Sequence, residues 1–171
     1  MPSLVYHPAF DPYHTILRCL RASTILGEKF HKEELELFQF LILFPEILGN
    51  SKLTTATRSA WGKLKWSPRF PYEMRADMRR TFNSSRSTYE AAFQTLVKER
   101  ILSEAVADDE STFNVSWFNV PENIVEMVDA RNENEAELVS LLSMLAEDVP
   151  FFGDGGLKER TGLMEFRYDV A

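Results

Sequence analysis

Ser87-Thr88-Tyr89-Glu90 opens the stretch that decides the fold, which runs on through Ala92-Phe93 and Leu96-Val97 into Ile101-Leu102-Ser103-Glu104-Ala105-Val106. Ser87 can cap the amide of the third helical residue while Glu90 reaches back to the Ser87 amide, which predicts a helix starting there. Tyr89, Ala92, Phe93, Leu96 and Val97 recur at three- and four-residue spacing, the mark of one buried helical face. The apolar run after them reads as a strand, Ala107-Asp108-Asp109-Glu110 as a turn, and Thr112-Phe113-Asn114-Val115-Ser116-Trp117 as the returning strand. Short helices, a capped helix and an immediate hairpin form the order of a winged helix-turn-helix.

Working outward toward the N-terminus, Met74, Met78 and Phe82 mark a short helix at four-residue spacing, and Ser67-Pro68-Arg69-Phe70-Pro71 is a loop because each proline disfavours helix in the residue before it. Trp61 and Leu64 suit another short helix. Glu33 to Phe44 is apolar on nearly every side, as a central helix is, and Pro45 ends it. Asp11-Pro12 supplies an N-cap carboxylate and a proline at the first helical position. From there Tyr13, Ile16, Leu17, Leu20 and Thr24 follow helical spacing to Gly27. Toward the C-terminus, Pro121 opens a helix carrying Ile124, Val125 and Val128, and a further one carries Leu138, Leu141, Leu142 and Leu145. Gly153 to Gly162 then holds four of the seven glycines, and Met164, Phe166 and Tyr168 alternate with charged residues as a strand would. The expected architecture is mainly α with a small β-hairpin. Residues 1–150 form a compact winged-helix-like domain with C-terminal helices, and residues 151–171 a glycine-rich linker and a docking tail that ends in a strand.

The chain has 171 residues, 44% of them hydrophobic, enough to bury a core. Thirteen Phe and three Trp exceed what a minimal core needs and point to a partner surface. The longest apolar run, Phe40 to Pro45, is far short of the roughly 18–20 residues of a membrane span. Met1-Pro2-Ser3-Leu4 lacks the basic start and apolar core of a signal peptide. The lone Cys19 excludes an internal disulfide and a multi-cysteine zinc site. These features predict a soluble cytoplasmic protein.

The net charge is −7, which argues against unassisted binding to bulk nucleic acid. It is unevenly spread: residues 51–100 hold eleven basic and four acidic side chains, residues 101–150 one basic and twelve acidic. The faces either neutralise one another within the fold or meet different macromolecules. Arg75, Arg79, Arg80 and Arg86 are the candidates for contact with nucleic acid or an acidic partner. The acidic hairpin tip would repel DNA.

Catalytic groups are hard to find. His7 and His14 are separated by Pro8 and Pro12 rather than set one helical turn apart, and with His31 and Cys19 they make a poor metal set. Cys19, among Leu17 and Leu20, reads as an inert buried thiol. Gly153-Asp154-Gly155-Gly156-Leu157-Lys158 lacks the spacer, the strand and the Ser/Thr of a phosphate loop. The carboxylate pairs Glu33-Glu34 and Asp108-Asp109 fall on helix starts or turns expected to be exposed, and acid-base work needs a desolvated carboxyl, which the sequence does not suggest. Neither an enzyme nor a cofactor is expected.

Three segments carry a family resemblance: Tyr6-His7-Pro8-Ala9-Phe10-Asp11-Pro12-Tyr13-His14, Leu43-Phe44-Pro45, and Gly156-Leu157-Lys158-Glu159-Arg160-Thr161-Gly162-Leu163. Together they resemble the small middle components of bacterial ABC three-component systems, a group that includes the third subunit of Lamassu-type anti-phage defence. The resemblance implies a non-catalytic accessory subunit linking an SMC-like ABC ATPase to an effector that is often a nuclease, with DNA reached through the complex. Tyr6, Phe10 and Tyr13, and in the tail Leu163, Phe166 and Tyr168, are the candidate partner-binding anchors, since interface hot spots favour aromatic side chains. Two competing readings are a stand-alone winged-helix transcription regulator, favoured by the basic stretch, and a small hydrolase, which lacks a credible nucleophile.

Overall fold

The structure is a computed structural model that describes residues 7–67, 78–105 and 112–165. It is mostly helical with a three-stranded antiparallel sheet. The first helix, α1 (Pro12–Leu26), is held at its start by Asp11, whose Oδ1 accepts the His14 amide at 2.9 Å. Gly27 ends it at φ 92°, a conformation that side-chain-bearing residues rarely adopt. β1 (Phe30–His31) leads into α2 (Lys32–Leu43), in which every residue from Leu35 to Leu43 is buried. This is the central helix expected from its all-round apolar sequence. After α3 (Ile47–Asn50) and α4 (Thr55–Lys63) comes the longest element, α5 (Met78–Lys98), which runs into β2 (Leu102–Glu104) and β3 (Thr112–Val115). Two helices, α6 (Glu122–Asn134) and α7 (Ala136–Asp148), and a short α8 (Leu157–Thr161) complete the described chain. α1 lies against α2, α5, α6 and α7 and is the hub of the packing.

The hairpin forms where expected, with Leu102 opposite Val115 and Glu104 opposite Phe113. The sheet also has a member that the sequence did not announce. β1 pairs with the free side of β3, Phe30 opposite Phe113, giving the order β1-β3-β2.

The helix expected to begin at Ser87 does not begin there. α5 runs unbroken from Met78, joining the two helices foreseen on either side of Ser87. Inside a helix the Ser87 region has no orphan amide to cap, because each N–H already meets the carbonyl four residues back. No proline or glycine interrupts residues 78–98, and one buried stripe, Phe82, Ser85, Tyr89, Ala92, Phe93 and Leu96, spans the junction. Glu90 turns instead to Lys32, whose Nζ lies 2.7 Å away on α2. Val97, expected inside with Leu96, is exposed.

Aromatic rings fill the centre. Phe38, Phe40, Phe44, Phe82 and Tyr89 are fully buried, and Phe40 meets Phe82 edge-on with ring centroids 5.0 Å apart. Most of the described phenylalanines are thus consumed by the core; among the described residues only Phe10 and Phe118 stand exposed. α1 also buries two arginines that apolar periodicity gave no reason to expect. Arg18 donates to Gln39 Oε1, the Pro8 carbonyl and Thr15 Oγ1. Arg21 donates to Asn132 Oδ1 at 2.8 Å and pairs with Glu135 at 3.5 Å.

The glycine-rich segment, expected as a linker, is a pinned turn. Phe151, Leu157, Leu163 and Met164 are buried. Arg160 donates to the carbonyls of Gly155 and Lys52, and Glu159 accepts the Gly155 amide. A Cβ at Gly156 would sit 2.7 and 2.8 Å from the backbone oxygens of Phe152 and Phe151, so only glycine fits there. Buried Lys158 bonds Glu33 at 2.8 Å and lies over the rings of Phe151 and Phe152, tying α8 to the start of α2. The strand expected from Phe166 and Tyr168, and the acidic turn at Asp108 to Glu110, lie outside the described residues.

Candidate functional site

An open apolar groove of about 330 Å³ lies between α1, the last turn of α5 and the start of α6. α1 contributes Tyr13, Leu17 and Leu20, α5 and the residues after it Leu96 and Ile101, and α6 Ile124 and Met127. The sequence builds it by a shared logic. Tyr13 and Leu17 are one turn apart on α1, and Ile124, Met127 and Arg131 recur at three- and four-residue spacing on α6, so each helix turns a stripe toward the other. His14, Glu99 and Arg131 give the groove its few polar edges. His14 is itself 3.2 Å from Asp11, the residue that caps α1.

Two side chains that line the groove, Tyr13 and Met127, are large, apolar and in solvent, and Phe118 is exposed two residues before Val120, which also lines it. Tyr13 is 83% exposed, Phe118, on the turn just before Val120 and Pro121, 98%, and Met127 44%. Single exposed apolar residues are ordinary, and an apolar depression lined by two of them is a candidate docking place.

The structure sorts the residues singled out by sequence. Tyr13 lines the groove, and Phe10 is exposed on the 3-10 turn that precedes α1. Leu163 is buried and belongs to the core rather than to an exposed tail. Tyr6, Phe166, Tyr168 and Arg75 lie outside the described residues. Arg79 and Arg80 are exposed on the first turn of α5. Arg86 is committed internally: its Nε donates to Glu36 Oε1 at 3.0 Å and its guanidinium lies over Phe82. Burial pushes the Glu36 carboxyl above its ordinary range, and the bond from Arg86 pulls it partly back. Ile124, Met127 and Phe118 were not picked out as contact residues; the spacing of Ile124 and Met127 on α6 is the signal that could have found them.

Cys19 is buried on α1, and desolvation pushes its thiol up to about 12 against a smaller opposing pull from Arg18. A thiol reacts as its thiolate. The native protein at pH 8 should therefore give no colour with Ellman's reagent over minutes, and one equivalent once unfolded in guanidinium. Prompt reaction of the folded chain would show that Cys19 is accessible. Among the described residues no group of three or more His, Cys, Asp or Glu is placed to hold a metal ion, and no helix is long and apolar enough to cross a membrane.

The fold is mainly helical with a small sheet and carries an apolar groove lined in part by the exposed Tyr13 and Met127. The chain belongs to the family described as ABC-three component (ABC-3C) system Middle Component 5, whose model matches residues 4–169. No curated protein and no solved structure matches it. Membership makes it a component of a multi-subunit system and implies protein partners.

Proposed function

We propose that this chain is a non-catalytic accessory subunit that links an SMC-like ABC ATPase to an effector, often a nuclease, in cytoplasmic anti-phage defence of the Lamassu type. The observation that carries the reading is the apolar groove between α1 and α6 with the exposed Tyr13 and Met127 in its lining. Family membership in a three-component system supplies the partners that such a surface needs. Phe10, exposed on the turn before α1, is a further anchor in this reading. The segment from Phe166, with Tyr168, is a second docking element in this reading, able to add a strand to a partner's sheet edge.

The winged-helix reading of the fold has its own support. The sheet order β1-β3-β2 and α5 leading directly into the hairpin support it, with α1 before β1 and α2 to α5 between β1 and β2 among the described residues. Such a fold also serves stand-alone transcription regulators, which purify as dimers and bind chosen sequences without partners.

Co-expression with the proteins encoded beside it separates these readings. The chain should co-purify with a coiled-coil ATPase. Tyr13→Ala combined with Met127→Lys should weaken that association at least tenfold, the effect of losing a central anchor. An unchanged complex would remove the groove from the interface. Purification as a lone dimer with sequence-selective DNA binding would favour the regulator.

A further inference from the structure

We infer that the groove between α1 and α6 takes an amphipathic α-helix of a protein partner, with a basic residue on one flank of its apolar stripe and an acidic residue on the other. This names the occupant of the docking surface described above and rests on that reading. The backbone around the groove is already paired. The carbonyls of Thr95 and Leu96 accept the amides of Glu99 and Ile101, and the amides of Val120 and Ile124 donate to the carbonyls of Trp117 and Pro121. Thr95 Oγ1 donates to the Ala91 carbonyl at 2.9 Å, and Pro121 has no N–H to offer. An extended peptide lying here would carry its backbone out of water without a partner among these groups, at a cost of about 1–3 kcal/mol for each bond left unmade. A helix bonds its own backbone internally and brings only side chains to the contact.

The dimensions suit two helical turns. The lining runs from Tyr13 to Leu20 on α1 and from Ile124 to Arg131 on α6, each about 10 Å of axis at 1.5 Å per residue. Apolar side chains at i, i+4 and i+7 of an incoming helix span the same length. The rim sets the charges. Glu99, just past α5, and Arg131, on α6, both line the groove and are exposed. Neither has an ion-pair partner among the described residues. His14, the third ionisable edge, is engaged by Asp11. A helix with bases on both flanks would face Arg131, and one with acids on both flanks would face Glu99, so one flank of each sign answers the rim. An anionic amphiphile would suit the apolar floor and Arg131 but would meet the like charge of Glu99.

The test uses the full chain and a designed probe, a labelled peptide of about sixteen residues. It carries leucines at i, i+4, i+7 and i+11, lysines along one flank of that stripe, glutamates along the other and alanines elsewhere. Titrations followed by anisotropy run to about 100 μM peptide at about 150 mM salt, which screens the chain's net charge of −7. The mixed peptide should bind, and a copy with two central prolines should bind at least tenfold more weakly. Tyr13→Ala with Met127→Lys, its helical circular dichroism matching wild type, should lose the mixed peptide by a similar factor. Wild type should prefer the mixed peptide about threefold over copies with only lysines or only glutamates on both flanks. Glu99→Lys should move the preference to the glutamate copy, and Arg131→Glu to the lysine copy. The inference is overturned if the mixed peptide does not bind, if the proline copy binds equally, or if the groove pair leaves binding unchanged. It is also overturned if neither charge reversal moves the preference, or if dodecanoate binds more tightly than the peptide. Co-purification tests the underlying reading separately. A complex that survives the groove pair removes that reading, whereas a complex lost to it, with no preference for the helical peptide, removes this inference alone.

Discussion

Phe82→Ala should cost about 3–5 kcal/mol of folding stability, the range for deleting a large buried aromatic side chain. The ring is fully buried on α5, meets Phe40 of α2 edge-on at 5.0 Å, and carries the Arg86 guanidinium on its face. Truncation therefore removes the ring contact, opens a void between α2 and α5, and strips the packing from the arginine that bonds buried Glu36. Urea titration followed by circular dichroism should show the midpoint falling with the slope unchanged. Phe82→Leu, which keeps most of the volume, should cost about 1.5 kcal/mol. Equal small effects from both substitutions would mean that the ring is not a shared centre of the two helices.

The second large effect is electrostatic. Arg21→Met removes the guanidinium that donates to Asn132 and pairs with Glu135, while the Glu135 side chain remains mostly out of water at 17% exposure. Stranding one member of a buried pair costs about 3–5 kcal/mol, whereas replacing both with apolar residues is often neutral. Arg21→Met should thus be strongly destabilising, and Arg21→Met with Glu135→Leu should recover most of the loss. The double-mutant cycle is read from the same urea midpoints. Additive losses would show that the charges do not act as a pair across the α1 and α6–α7 contact.

Features governed by neighbours in sequence were legible in it. Asp11-Pro12 begins α1 because a carboxylate cap and a proline act within one turn, and the apolar run of α2 announced a central helix. The pairing of β2 with β3 followed from two strand-like runs. The capping motif at Ser87 misled for a definite reason: a cap stabilises only where a helix has to start, and the stripe from Phe82 to Leu96 leaves no start there. β1 is two residues long and exists because β3 offers it an edge, which no local pattern records. The five residues of α8 are likewise held by Glu33 and Lys52, far off in the chain. Of the groove, Tyr13 stood out as an aromatic beside a helix start, but the facing wall of Ile124 and Met127 reads as ordinary amphipathic helix until α1 is set against it. Leu163, taken for a tail anchor, shows the converse: an apolar residue after a glycine-rich stretch can be coming back inside.

Arg160 meets Lys52 across 108 positions, and Arg21 meets Asn132 across 111. Links that long are entropically costly to close and give nothing back until nearly everything between them is in place. Laced in this way, the described residues offer no natural seam. Severed halves should not behave as autonomous modules, and reassembling them in a split-reporter format would require both pieces at once.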